Sequence, residues 1–169
     1  MTDAVRILGI DPGSQVTGFG IVDAFGGHAR AVEWGSIRTS GEHSERLRRI
    51  FEEVGRIIAT HAPAEIAIES VFVHRNADSA LKLGQARAAA LCATFRARLP
   101  IYEYSPRHIK KAVAGSGGAE KLQVQRMVKI LLGLSEAPQP DAADALAAAL
   151  CHAHSRIARS ALIKAAGAT

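Results

Sequence analysis

Apolar positions along the chain change their spacing several times, and each change marks an element. Residues 5–10 (VRILGI) form an apolar, β-branched run stopped by Asp11-Pro12-Gly13. Residues 17–22 (TGFGIV) resume a strand pattern after a short turn-rich link, so the two runs predict a β-hairpin. Residues 28–38 (HARAVEWGSIR) alternate loosely and predict a third antiparallel strand, with Gly35 marking a bulge or bend. The period then becomes helical. From about Ser44 to His61, Leu47, Ile50, Phe51, Val54, Ile57 and Ile58 recur on one face, with charged residues between them, and Pro63 ends the run. Residues 64–68 (AEIAI) predict a short buried strand delivering Glu69 at its end, and a second helix runs from Ala77 to about Arg98 with Asn76 as its N-cap. A strand at 100–104 is followed by a short helix with Ser105 as N-cap and Pro106 at its first position. A glycine-rich link at 115–118 precedes a helix over 119–132 that stops at Gly133. Pro138 and Pro140 break the chain before a final Ala-rich helix starting near Asp141.

The order β-β-β-α-β-α-β-α-α-α predicts an α/β domain in which an antiparallel hairpin edge continues into parallel strands joined by helical crossovers. The expected sheet is mixed and five-stranded, with helices on both faces. Residues 1–169 form a single domain in this reading, with 158–169 as a frayed tail.

Composition narrows the function. With 48% apolar and 22% charged residues over 169 positions, disorder and collagen-like structure are excluded and the chain can build one real core. The net charge of +5 makes an anionic partner such as nucleic acid the first class to test. Cys92 and Cys151 belong to no CxxC or Cys/His cluster, so neither a disulfide framework nor a zinc site is inferred, and both read as reduced core cysteines. The acid at Asp3 and the short apolar run argue against a signal peptide, and the Ala-rich stretch 142–151 is too short to span a bilayer. A soluble, cytoplasmic protein without a membrane partner is expected.

The carboxylates carry the chemistry. Asp11 sits where an apolar strand meets a Pro-Gly turn, and ligands of open α/β sheets gather at the carboxyl ends of strands. Glu69 occupies the equivalent place on a second strand, where desolvation is costly unless a cation or donors compensate. Asp141 and Asp144 lie one helical turn apart in a first turn, facing the positive end of the helix dipole. Each has a plainer alternative: Asp11 as an Asx turn, Asp141 as an N-cap, Asp144 as an ordinary first-turn acid. Taken together, four acids without His or Cys suit a hard divalent cation, Mg2+ or Mn2+, held by a few oxygens with room for water and phosphate.

Five segments bear a resemblance. GIDPGS at 9–14, TGFG at 17–20, AIES at 67–70, NADSALKLGQARAAA at 76–90 and DAADALAAALCH at 141–152 resemble, in order, the RuvC family of Holliday-junction resolvases. The resemblance implies a ribonuclease H-like fold, a homodimer, and Mg2+-dependent nicking of four-way DNA junctions in recombination and repair. It places the family's catalytic and metal-binding acids on Asp11, Glu69, Asp141 and Asp144, and none is substituted. Beside Glu69, Ser70 stands where some relatives carry Gln. Two Mg2+ per site are implied, with Mn2+ as a substitute. One ion would lower the pKa of a water nucleophile and the other would stabilise the departing 3′ oxygen, about 4 Å apart. The products implied are a 5′ phosphate and a 3′ hydroxyl, with Asp11 as the bridging carboxylate.

Arg107, Lys110, Lys111 and Lys121 cluster around the glycine link and can neutralise phosphates, or form a solvated basic face. The resemblance favours Lys110 and Lys121 as assisting cleavage. Phe72, on a segment with His74, Arg75 and Asn76, either packs in the core or stacks on an unpaired base. The resemblance favours stacking, and Arg75 beside it is expected to contact DNA. Leu81, Gly84, Ala88 and Cys92 share a helix face that either packs on its own sheet or, as the resemblance implies, forms a two-fold dimer matching the junction. His152 lies eleven residues past Asp141, about 16 Å along a helix, so it and His154 read as non-ligands. A branch-migration motor of RuvA and RuvB type is the partner implied. The rivals are half of an actin-like ATPase, on the phosphate-hairpin likeness of DPGSQVTGFG, and a non-catalytic junction-binding protein.

Overall fold

The three N-terminal runs form consecutive antiparallel strands, β1 (Val5–Asp11), β2 (Val16–Phe25) and β3 (His28–Arg38). The computed structural model describes residues 4–70 and 76–166. Pairing of β2 with β3 slips between Ile21, opposite Glu33, and Val22, opposite Ala31. The extra residue is therefore Val32, and the bulge expected at Gly35 lies elsewhere. Gly35 has another use: it pairs with Phe19, and a Cβ there would meet that ring at 2.9 Å.

Helix α1 (His43–His61) buries Ile50, Val54, Ile57 and Ile58, the apolar stripe of the sequence, and ends at Ala62, whose N–H donates to the Ile58 carbonyl. Strand β4 (Glu65–Glu69) runs parallel to β1, and β5 (Ile101–Tyr104) runs parallel to β4, which gives the order β3-β2-β1-β4-β5. Helix α2 (Ala77–Thr94) starts as expected, with the Asn76 side chain accepting from the N–H groups of Asp78 and Ser79. Its end differs from the expected Arg98. The chain tightens into a 3-10 turn over Phe95–Ala97 and stops at Arg98 in the left-handed region, φ 49°.

Helix α3 (Pro106–Ala114) carries the expected Ser105 cap and Pro106 start, and Gly115 closes it at φ 77°. Helix α4 (Lys121–Leu131) begins two residues later than its period suggests, because the Ala119 N–H bonds the Ser116 carbonyl in a turn and Glu120 is extended. Helix α5 (Pro140–Ala166) opens with Pro140, so Asp141 lies inside the first turn and is not the cap. It continues as a helix through residues 158–166, where the sequence suggests a frayed end.

Strand alternation splits the apolar residues into two cores. Leu8, Ile10, Ile21, Ile66 and Ile68 point to the face covered by α1 and α2. Ile7, Val22, Ala67 and Tyr104 point to the face covered by α3, α4 and α5. The result is the mixed five-stranded sheet with helices on both faces that the sequence predicts. Cys151 is buried in the second core, but Cys92 is exposed, which corrects its reading as a core residue. Among the described residues no helix is long and apolar enough to cross a membrane.

Candidate active site

Asp11 and Glu69 end adjacent parallel strands, one residue beyond the Ile10↔Ile68 pair. Alternation puts Ile7, Gly9 and Asp11 of β1, and Glu65, Ala67 and Glu69 of β4, on the α5 face. The loop after Asp11 is closed by Thr17, fully buried, whose Oγ1 donates to the Gly13 carbonyl at 2.9 Å and accepts from the Gly13 N–H at 3.3 Å.

Three glycines bring α5 onto this face. A Cβ on Gly18, which pairs with Asp11, would stand 1.9 Å from the Asp141 carbonyl oxygen. One on Gly9 would stand 2.0 Å from the Ala145 carbonyl oxygen, and one on Gly20 2.7 Å from the Leu146 side chain. The helix answers with Ala142, Ala143, Ala145, Ala148 and Ala149, all buried. Backbone-to-backbone approach of this kind is open only to glycine facing small residues. The sequence pattern places these glycines simply as strand residues, in the runs 5–10 and 17–22. The available signal is their recurrence at alternate positions of two adjacent strand runs, together with an Ala-rich helix.

The electrostatics tie the acids to one another. Burial first, then repulsion from Glu69, Asp144 and Asp141, pushes Asp11 up to about 8. Burial and Asp144 push Glu69 up to about 7, against the pull of Lys121 and Lys110. Asp144 is also raised, mainly by burial, although the Lys121 Nζ stands 3.3 Å from its Oδ2. Lys121 is raised in turn, chiefly by Asp144. Carboxylates that repel one another in a desolvated place are stabilised by a bound cation.

Among the described residues, no three His, Cys, Asp or Glu side chains come close enough together to hold a metal ion by themselves. A closed cage is not what Mg2+ asks for, because it dehydrates reluctantly and is held by one or two carboxylates plus waters and substrate phosphates. The donor set of Asp11, Glu69, Asp141 and Asp144 therefore suits a hard divalent cation completed by substrate.

The other expected residues divide into three groups. Lys110 and Lys121 lie within the field of the acids, whereas Arg107 and Lys111 line a shallow depression at the start of α3 with Ser105, His108 and Ala112. Phe72, His74 and Arg75 lie outside the described residues. Leu81, Gly84, Ala88 and Cys92 are all exposed along one face of α2 and do not pack on their own sheet. Phe95, which carries no signal in the sequence pattern, extends that stripe at 61% exposure. His152 is fully buried between Tyr104 and Glu65, midway along α5 and three turns past Asp141.

The chain has close counterparts among known proteins. The family model described as "Crossover junction endodeoxyribonuclease RuvC" matches residues 7–152, which include all four acids. The crossover junction endodeoxyribonuclease RuvC of Halorhodospira halophila is 59% identical over 155 residues, covering 90% of this chain and 92% of that protein. Its counterpart in Stutzerimonas stutzeri is 58% identical over 151 residues, covering 89% and 87%. Thermus thermophilus RuvC, solved in complex with a Holliday junction substrate, superposes with a TM-score of 0.85 at 40% identity, covering 91% of this chain and 96% of that one. The sheet order and flanking helices are accordingly those of a ribonuclease H-like fold, and the actin-like alternative is set aside. With its fold, its acid-bearing strand ends and nearly its whole length matched, the chain belongs to the RuvC family of crossover junction endodeoxyribonucleases.

Proposed function

We propose that this chain is a homodimeric, Mg2+-dependent endodeoxyribonuclease that resolves four-way DNA junctions in the cytoplasm by paired, symmetric nicks. The observation that carries the reading is the convergence of Asp11, Glu69 and Asp144, with Asp141 beside them, into one mutually repelling acid cluster next to Lys121. Asp11, Glu69, Asp141 and Asp144 would hold the ions, two per site, with Mn2+ able to replace Mg2+. When bound, the ions supply water activation at neutral pH and charge stabilisation for the departing 3′ oxygen.

The protein's own groups do the rest. Strand ends hold Asp11 and Glu69, and the first two turns of α5 hold Asp141 and Asp144 against them, which removes reorganisation from the reaction. Lys121 and Lys110 face the same cluster and are placed to draw the scissile phosphate towards it. Arg107 and Lys111 anchor a flanking phosphate from the exposed side of α3, fixing register without reading sequence. Phe72 and Arg75 contact DNA beyond Glu69. Association of two α2 stripes through Leu81, Gly84, Ala88 and Cys92 gives a two-fold dimer, whose symmetry presents two sites to a four-way junction. A motor of RuvA and RuvB type is the expected partner for delivering that junction.

The test is a mobile synthetic four-way junction with Mg2+, beside Asp11→Asn and Glu69→Gln variants and a linear duplex. Paired, ligatable nicks ending in 5′ phosphate and 3′ hydroxyl are expected in the junction alone, lost in both variants while binding persists. Tight junction binding without wild-type nicks, across several junction sequences and metals, would instead establish a binding protein.

A further inference from the structure

A second polar cluster lies midway along α5, on the same helix surface that carries the acids. The His152 Nδ1 stands 2.7 Å from the Tyr104 hydroxyl and its Nε2 stands 2.6 Å from Glu65 Oε2. The other Glu65 oxygen takes the Arg156 guanidinium, and Tyr102 stacks on the imidazole at 4.2 Å. Burial pushes the His152 imidazolium down, so the ring is neutral. Burial also acts on Glu65, but Arg156 and His152 outweigh it and hold the carboxyl below its ordinary range. One proton arrangement then satisfies every group: Nε2–H donates to the Glu65 carboxylate, and Nδ1 accepts from the Tyr104 hydroxyl.

The placement of this cluster matters for the acids. His152 and Asp141 are eleven residues apart, three helical turns, so they share the sheet-facing stripe of α5. Between them the helix rests on Gly9 and Gly20 through Ala145, Leu146 and Ala149. Such contacts allow close approach, but apolar contact is non-directional and small smooth surfaces do little to fix how far a helix slides along a strand. Hydrogen bonds of 2.6–2.7 Å from the buried His152 ring to buried Tyr104 and part-buried Glu65 do fix it. Their strand partners are tied to the site: Glu65 lies four residues before Glu69 on the same face of β4, and Tyr104 pairs with Glu69 across β4 and β5.

We propose that His152 is a positioning residue: with Glu65 and Tyr104 it sets the axial register of α5 on the sheet, and so holds Asp141 and Asp144 where divalent-cation binding with Asp11 and Glu69 requires them. The inference rests on the reading of the four acids as metal ligands.

Calorimetric titration of the full chain with Mn2+ tests both, using wild type, Asp11→Asn, His152→Phe and Tyr104→Phe. His152→Phe keeps an aromatic ring against Tyr102 but removes both hydrogen bonds, and is expected to raise the Mn2+ dissociation constant roughly tenfold, with Tyr104→Phe raising it about threefold. Binding of metal-free four-way junction stays at the wild-type level in both. Saturating Mn2+ restores most of the cleavage rate, a split between half-saturation and maximal rate that simple loss of folded protein does not give. Should His152→Phe fold poorly, Tyr104→Phe carries the test, since it removes a single hydroxyl. If Asp11→Asn binds Mn2+ as wild type does, the ligand reading fails and takes this inference with it. If Asp11→Asn loses Mn2+ while the folded His152→Phe and Tyr104→Phe proteins keep wild-type affinity, the positioning role alone is overturned.

Discussion

Gly18 and Asp141 meet through their backbones: a single added carbon on Gly18 would lie 1.9 Å from the Asp141 carbonyl oxygen. Because Gly18 also pairs with Asp11, this contact joins the strand that carries one acid to the helix that carries two others. The site depends on what that position lacks. A side chain there cannot be accommodated by a rotamer change, since the obstacle is helix backbone.

Gly18→Ala is therefore expected to lift the first turn of α5 off β2. Overpacking against backbone costs about 1–3 kcal/mol of stability. Displacing Asp141 and Asp144 by about an ångström should lower single-turnover cleavage on the order of a hundredfold. Urea unfolding and junction cleavage, measured on the same preparation, check the two effects. Wild-type cleavage by a folded Gly18→Ala protein would show that α5 does not need this close approach.

The metal-free protein should carry its active site as a stability defect whose pH dependence has a definite sign. Asp11 is pushed up to about 8 and Glu69 to about 7, both above their ordinary values of 3.8 and 4.5. The folded state therefore binds these protons more tightly than the unfolded chain. Their contribution to stability is fully present below about pH 4 and is lost as the pH rises through 7 to 8. Asp11→Asn has no charge to expose to the cluster and should be more stable than wild type at pH 8 in EDTA, by about 1–2 kcal/mol. Near pH 4 the gap should close. Mg2+ should stabilise the wild type at pH 8 more than the variant. Denaturant melts at both pH values decide it, and an Asp11→Asn protein no more stable than wild type at pH 8 contradicts the idea.

Much of this site is legible in the sequence, and the reason is local. Asp11 and Glu69 end strands that announce themselves as apolar runs, and Asp141 and Asp144 open a helix marked by Pro140. Strand and helix periods place such residues without knowledge of tertiary contacts. The features that stay hidden depend on what lies opposite. Gly9 and Gly20 have meaning only once α5 lies over them, and the Val32 bulge is a matter of pairing between β2 and β3. Cys92 resembles a core residue in sequence because its helix is apolar on several sides, and only packing shows which of them faces outwards. Distance along the helix separates His152 from the acids, yet its partners Glu65 and Tyr104 lie 87 and 48 residues away in sequence.

The two kinds of basic residue should fail differently. Lys121 touches Asp144 and is 79% exposed at its side chain, so it serves the reaction centre at little structural cost. Lys111 lies in the depression on α3 with Arg107 and His108. Lys111→Ala should weaken junction binding and reduce the slope of log affinity against log salt by about one, with the bound-state cleavage rate nearly unchanged. Lys121→Ala should cut that rate about tenfold or more. It should also move the acid limb of the pH–rate profile upwards, because Lys121 holds Glu69 and Asp144 down. Identical salt slopes and identical rate losses in the two variants would remove the distinction.

The exposed face of α2 should be where two copies meet. Leu81 is 62% exposed and Phe95 61%, and between them Gly84, Ala88 and Cys92 repeat at helical spacing with open space beyond the glycine. An apolar, small-residue stripe lets two helices approach closely, and a charge placed in its centre is desolvated without a partner. Leu81→Asp or Ala88→Glu should therefore shift the protein from dimer to monomer at micromolar concentration, seen by sedimentation velocity, while its helical content is retained. The same monomer should nick junctions singly instead of in symmetric pairs. The cysteines provide an internal control. Cys151 is buried, and burial pushes its thiol up to about 12, so it should resist alkylation in every state. Cys92 should be shielded in the wild-type dimer and alkylated rapidly in Leu81→Asp. Equal Cys92 reactivity in both proteins, alongside unchanged sedimentation, would place the dimer contact on another face.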